Sequence, residues 1–340
     1  MFQDYCFYVT YESQQLRFYG MGQETEWLYD KTCEAYNEAV LLAFGVSGEA
    51  LVNKSCRYRI TEKGLLHQGT AVVRLYEECL CVLPPNEYGR RFPLCFVEQA
   101  GVKDYTYELK LSTGEEVVLS MMGSALDYLD HMMDTKLRQL WEKTEKWHRF
   151  LAPSVGKDVA ESVSAMPFGR GANLRNLGVS VPSLADALET KLSNSRIAQS
   201  YEWLCSWSGG KDLQVGALPS SQEDEEENAA PILWVIAHDD TCQKAAVELA
   251  LAEDEAAATY VYRLDGEWEI FALWADRALE ATGFDRQLIY QSKEQLMKPE
   301  NARRYMLVQR TPAVDFMRER FMGRTIHSTR ERWQQDMNKY

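Results

Sequence analysis

The sequence is short of positive charge. Across 340 residues, 37 Lys and Arg stand against 51 Asp and Glu, a formal net charge of -14. Such a chain repels nucleic acid and anionic membrane unless its cations are locally concentrated, so neither is an expected partner. Long apolar runs are missing too. Stretches such as 39–44 and 231–237 fall well short of the about 20 residues that span a bilayer. No basic segment leading into an apolar core follows Met1, so no secretory signal is recognised and a cytoplasmic location is expected.

Cysteine is present but unpatterned. The eight residues (6, 33, 56, 79, 81, 95, 205 and 242) include no CxxC pair, and the five histidines do not stand near them at finger-like spacing. That excludes a signalled zinc site or disulfide framework and leaves buried free thiols as the reading. Cys79 and Cys81 share one strand face and could in principle share a metal, but no further ligands accompany them; no metal and no cofactor are expected. GxSxG, HExxH, kinase and zinc-deaminase patterns are absent. GxxxxGK[ST] is absent as well, and Gly209-Gly210-Lys211 reads as a turn.

What is there is ordinary globular material. Apolar residues make up 46% and charged residues 26%, enough for two domains with real cores. The segment 70–151 organises the chain. It alternates short apolar strands with turns and then changes at Gly123 to helical periodicity. Ahead of it, 5–11 reads as a strand and 24–44 as a helix stopped by Gly45. Hairpins are expected at 62–64 and 112–114, and Pro84-Pro85 breaks the pattern between them. In 102–111, Tyr105, Tyr107, Leu109 and Leu111 alternate with polar residues, as in a half-buried antiparallel strand. The helix that follows carries Ser124 and Asp127 at capping-box spacing. Its apolar stripe of Leu126, Leu129, Met133, Leu137, Leu140 and Trp141 reads as a lid on the sheet.

The runs FPLCFVE from position 92, YTYELKL from 105 and EEVVLSMMG from 115 complete this order of elements, and 57–151 resembles the bacterial pleckstrin-homology-like (PH-like) fold. The resemblance implies a bent antiparallel sheet closed by a C-terminal helix. Many eukaryotic members of the fold bind phosphoinositides through a basic loop between the first strands. Here Glu62-Lys63-Gly64 and Glu77-Glu78 supply little positive charge, and Arg90-Arg91 reads as solvated, so a lipid-headgroup role is disfavoured.

The expected class is therefore α+β: an N-terminal PH-like antiparallel β-sheet capped by a long C-terminal helix, followed by an α/β domain with a mostly helical C-terminus. The divisions are 1–56 as an N-terminal strand and helix extension, 57–151 as the PH-like domain, 152–182 as a flexible linker rich in Gly, Ser, Asn and Pro, and 183–340 as the α/β domain. In the last, helices are expected over 184–204, 241–253, 267–281 and 292–336. Strands are expected over 212–218, 231–237, 258–264 and 286–291. No internal repeat is evident.

Candidate chemistry is sparse. Between Lys298 and Lys339, ten Lys and Arg face five acids, a local net of +5. Arg324, His327 and Arg330 in this segment are candidate ligands for an anion, because arginine forks match phosphate oxygens. The alternative is that these cations pair with the acidic loop 223–227 and with the first domain, while Gly323 ends a helix and Ser328 caps the next. His238 and Asp239 follow a buried strand and are candidate acid or base groups, or simply turn residues. Three functions are compatible with these features. In order of preference they are a cytoplasmic, non-enzymatic interaction or scaffold protein holding a protein or peptide partner; an enzyme or binder of an anionic, phosphate-bearing small molecule in the C-terminal domain; and a nucleic-acid accessory protein acting through the basic C-terminal helices.

Overall fold

The computed structural model describes residues 6–11, 14–210, 212–218, 232–250, 258–264, 266–285, 287–321 and 323–326, together with Arg332, Gln335, Asp336 and Lys339. The chain is a mixed α and β protein. It opens with an aromatic hairpin, β1 (Cys6–Tyr11) and β2 (Gln14–Tyr19), held by Phe7 stacked on Phe18 at 4.8 Å. Helix α1 (Glu24–Ala43) follows. It ends at Gly45, whose φ of +69° lets the Val46 N–H turn back to the Leu41 carbonyl and close the last turn.

Seven antiparallel strands come next: β3 (Val52–Glu62), β4 (Leu65–Leu75), β5 (Cys79–Leu83), β6 (Arg90–Pro93), β7 (Val97–Lys103), β8 (Thr106–Leu111) and β9 (Glu116–Ser120). Their order is β6-β5-β4-β3-β9-β8-β7, so the first strand pairs with the last and the sheet curls on itself. The β3–β4 hairpin turns on two residues, Lys63 and Gly64, both at positive φ, the conformation that suits the twist of a tight hairpin. Tyr107, Leu109 and Leu111 point into the core, whereas Tyr105 lies exposed in the turn before β8. Helix α2 (Ala125–Leu151) lays Leu126, Leu129 and Met133 on the same core. The expected capping box does not form. Ser124 has helical backbone angles, and its side chain makes no cap hydrogen bond. Trp141 lies to the side of the stripe, 39% exposed, and Lys136 occupies a buried position within it.

The segment 152–182 is not a structureless linker. It forms a short 3-10 turn, α3 (Val159–Ala165), the two-residue strand β10 (Ala172–Asn173) and α4 (Leu174–Ser180), and it buries Val155, Val163, Leu174, Leu177 and Val181. Its loop-forming residues act as helix punctuation. Asn173 caps α4 by accepting the Asn176 N–H at 2.9 Å, and Pro182 opens α5 (Pro182–Ser193).

After α6 (Ala198–Trp207), strands β11 (Gln214–Leu218), β12 (Ile232–His238), β13 (Lys244–Ala250) and β14 (Ala258–Arg263) follow. The helices α7 (Trp268–Ala281), α8 (Gln287–Tyr290), α9 (Lys293–Leu296), α10 (Ala302–Arg310) and α11 (Pro312–Arg320) come next, then β15 (Gly323–Ile326). The second sheet runs β10-β11-β12-β13-β14-β15 and is antiparallel throughout, which corrects the expected α/β layering. The stretch 241–253 was expected as a helix; its described part is a hairpin turn and β13. Alanine, glutamate and leucine favour helix locally, but Ala245, Val247 and Leu249 face one core while Ala246 and Ala250 face the other. The expected strand at 286–291 is α8, and Gly323 begins a strand rather than ending a helix.

The two sheets share a core. On β5, Leu80 and Val82 point into the curled sheet, while Cys79, Cys81 and Leu83 join Val40 of α1 and Trp234, Phe271 and Val314 of the second region. Every residue of β5 is buried for that reason.

Candidate functional site

A buried ionic network crosses the junction between the two sheets. Arg91, on β6 opposite Cys81, donates from Nη1 to Glu280 Oε1 at 2.7 Å. Glu280, on α7, also accepts from Arg277 Nη1 at 2.9 Å, and Arg277 Nη2 donates to the Arg91 carbonyl at 2.9 Å. The Arg277 guanidinium lies over the Phe96 ring at 5.6 Å, with Glu115 3.9 Å from its Nε. Arg277 and Glu115 are almost wholly enclosed, so each charge depends on its partners for stability. Burial opposes the charge on Arg91, but Glu280 together with the neighbouring Cys79 and Cys81 sulfurs outweighs it, and the guanidinium stays protonated more firmly than usual. Its neighbour Arg90 makes a two-pronged pair with Glu62, at 2.7 and 2.9 Å. The expectation of solvated arginines at 90 and 91 is thus corrected: both side chains are nearly covered.

Beside this network lies a cleft of about 650 Å³, inside the roughly 300–1,000 Å³ range of ligand pockets. The wall from the curled sheet includes Arg91, Leu94 and Cys95. Helix α2 contributes Lys136, Gln139, Leu140 and Lys143, and the facing wall carries Glu280, Phe284, Arg303 and Arg304. Lys136 donates to both Glu77 oxygens at 2.7 Å, and Arg304 to Asp285 at 2.9 Å. Lys143 and Arg303 have no ion-pair partner among the described residues. Two other hollows are more open grooves, each within one region: one among α4, α5 and α6, the other on the outer face of the curled sheet near Arg57 and Arg59. Of the three, the junction cleft alone is walled by both regions.

The described residues among those singled out from sequence lie elsewhere. His238 ends β12, buried, with its ring 4.6 Å from Trp268 and its Nδ1 2.6 Å from the Asp239 carbonyl. The Asp239 carboxylate accepts from the Gln243 and Lys244 N–H groups and from the Thr241 hydroxyl, so it closes its own hairpin. Arg324 lies in β15 with its backbone opposite Val261, and β15 is three strand spacings from β12, about 14 Å. The fold does not bring Arg324 and His238 together. His327, Ser328, Arg330 and the loop 223–227 lie outside the described residues.

Other arginines of the basic segment are engaged near home. Arg320 pairs with Glu267, Arg318 donates to the Leu288 and Gln291 carbonyls, and Arg310 donates to the Tyr36 hydroxyl of α1. The Cys79 and Cys81 sulfurs are 3.9 Å apart, and no group of three or more His, Cys, Asp or Glu among the described residues is placed to hold a metal ion.

Sequence reasoning missed Arg91, Glu280, Arg277 and Lys136. One signal was legible: Lys136 falls three residues after Met133 and four before Leu140, inside the apolar stripe of α2, where a lysine needs a partner. Comparison with protein-family models finds no match, and comparison with curated proteins finds none either.

Proposed function

We propose that this chain is a non-enzymatic binding protein, with a PH-like unit over 52–151 and its recognition site in the cleft beside the capping helix α2. The observation that carries the proposal is the cleft itself, because its walls come from both regions and two of its cations lack an anionic partner among the described residues. The strand order with β3 beside β9, followed by α2, supports the PH-like reading. The β3–β4 loop, basic in lipid-binding members of the resembled fold, packs here against the second region. Lys63 Nζ lies 5.0 Å from the centre of the Phe316 ring and 5.9 Å from that of Trp274. Recognition is therefore assigned to the junction and not to that loop.

The test is a thermal-shift panel of anionic, neutral and peptide ligands on the native chain and on Gln139→Trp, which places a large ring in the cleft from an exposed helix position. A ligand at a hundred times its Kd stabilises the native chain by about 2.7 kcal/mol, and the variant should lose that shift. A hit that persists unchanged in Gln139→Trp places recognition elsewhere and ends the proposal.

A further inference from the structure

The chemistry of the cleft narrows its ligand. Over the whole chain acids outnumber Lys and Arg, 51 to 37, yet the cleft reverses the balance, with five cations (Arg91, Lys136, Lys143, Arg303, Arg304) facing four acids (Glu77, Glu78, Glu280, Asp285). Three of the cations are already paired, Arg91 to Glu280, Lys136 to Glu77 and Arg304 to Asp285. Lys143 of α2 and Arg303 of α10 line the cleft, both exposed and without an ion-pair partner among the described residues. Arg91 also lines the cleft, but it is committed to Glu280 and its Nε is enclosed. Apart from Gln139 and Thr282, the rest of the lining is mainly apolar, including Phe44, Leu94, Leu140, Phe168, Leu288 and Leu307.

A peptide is a poorer fit than a compact ligand. The edge strand at the cleft, β6, is four residues long and ends in Pro93, and its Arg91 carbonyl is already taken by Arg277. It offers little ladder for strand addition.

We infer that the cleft takes a small anionic amphiphile, with a phosphate, sulfonate or carboxylate head between Lys143 and Arg303 and an apolar body against Phe44, Leu94, Phe168 and Leu288. The inference rests on the cleft being the recognition site, and the experiment separates the two. Fluorescence titrations of the full chain use two probes with the same apolar body, 8-anilinonaphthalene-1-sulfonate and its uncharged counterpart N-phenyl-1-naphthylamine. The sulfonate should saturate at one dye per chain, bind more tightly than the neutral probe, weaken with added salt and be displaced by dodecyl phosphate. Joint replacement Lys143→Glu with Arg303→Glu should weaken the sulfonate about tenfold, with the neutral probe and the melting temperature unmoved.

Equal binding of both probes, indifferent to the charge reversals but abolished by Gln139→Trp, overturns the anionic assignment and keeps the cleft as the site. Binding of both that survives Gln139→Trp overturns the cleft reading as well. Displacement of the sulfonate by an acidic hexapeptide but not by dodecyl phosphate overturns the small ligand in favour of a peptide. No saturable sulfonate binding, with dodecyl phosphate also silent in calorimetry, overturns the inference outright.

Discussion

The curled sheet and the second sheet solve the same burial problem in different ways. The curled sheet encloses its core with its own curvature and α2, so most of its outer face stays wet and β3 alternates buried Cys56, Tyr58 and Ile60 with exposed residues. The second sheet is flanked on both faces, by α4, α5 and α6 on one side and by α7 and α11 on the other, and its central strands are buried on both. A sheet closed by curvature tolerates change on its outer face, whereas a sheet between two helical layers tolerates little on either. The regions meet where β5 of the first takes on the character of the second, its outer face covered by α7 and its neighbours. There the chain carries buried charge.

That contrast can be broken most directly by placing a carboxylate on each face of one strand. Ala246→Asp and Val247→Asp are neighbours on opposite faces of β13 and should each cost about 4 kcal/mol or more in chemical denaturation, since each carboxylate would be buried in a hydrophobic cluster. Arg59→Asp, on the wet face of β3, should cost about 1 kcal/mol or less. Comparable losses at all three positions would mean that the curled sheet is as sensitive as the sandwiched one.

The junction should respond next most strongly. Glu280→Gln removes the carboxylate charge shared by Arg91 and Arg277 and should cost about 3 kcal/mol, read as a lowered denaturation midpoint. Breaking the exposed Lys31–Glu34 pair with Glu34→Gln should leave the midpoint nearly unmoved, because water screens it. A Glu280→Gln loss as small as that of Glu34→Gln would deny the network its role in joining the regions.

Smaller effects should appear in the pH profile, one from each side of the junction. His148, in the last turn of α2 with Nδ1 3.0 Å from the Ser162 hydroxyl, is pushed down to about 4 by burial. Its folded value lies below the ordinary 6.5, so its contribution is complete above that pH and is lost as pH falls toward 4. Asp276 on α7 is pushed up to about 7 by burial, although the Gly171 N–H and Trp234 Nε1–H donate to it and oppose the rise. Its contribution is complete below about pH 4 and is lost as pH rises to 7. The two contributions run in opposite senses over the same window, about pH 4 to 7, so melting temperatures of His148→Gln should fall more steeply than those of the native chain as pH rises through it, and those of Asp276→Asn more steeply as pH drops. If both variants keep the native profile, these groups are not the ones that titrate.

Much of the first region was legible because its elements announce themselves locally. Lys63-Gly64 at a tight turn, the Tyr107, Leu109 and Leu111 alternation and the 126–133 stripe each reflect a periodicity that one element carries alone. The second region hid its strands because burial on both faces erases alternation. Alanine-rich β13 has the composition of a helix, and the Gly, Ser, Asn and Pro of 152–182 read as a linker when they are the caps of short helices. The cleft was less legible still. Only Lys136 carried a signal, a charge in an apolar stripe that the sequence reading passed over, while Arg91, Glu280 and Arg303 lie far apart in sequence and look like surface charge until the sheets meet.

The sequence by itself determined the turns, the long capping helix, the unpatterned thiols and the want of any apolar run able to cross a bilayer, because each depends on residues near one another in the chain. Only the tertiary structure decided that β5 would be buried on both faces, that Glu280 would be shared by Arg91 and Arg277, and that Lys143 and Arg303 would line one cleft. Those outcomes depend on which surfaces exclude water together, and that is a property of the packed chain and not of any segment.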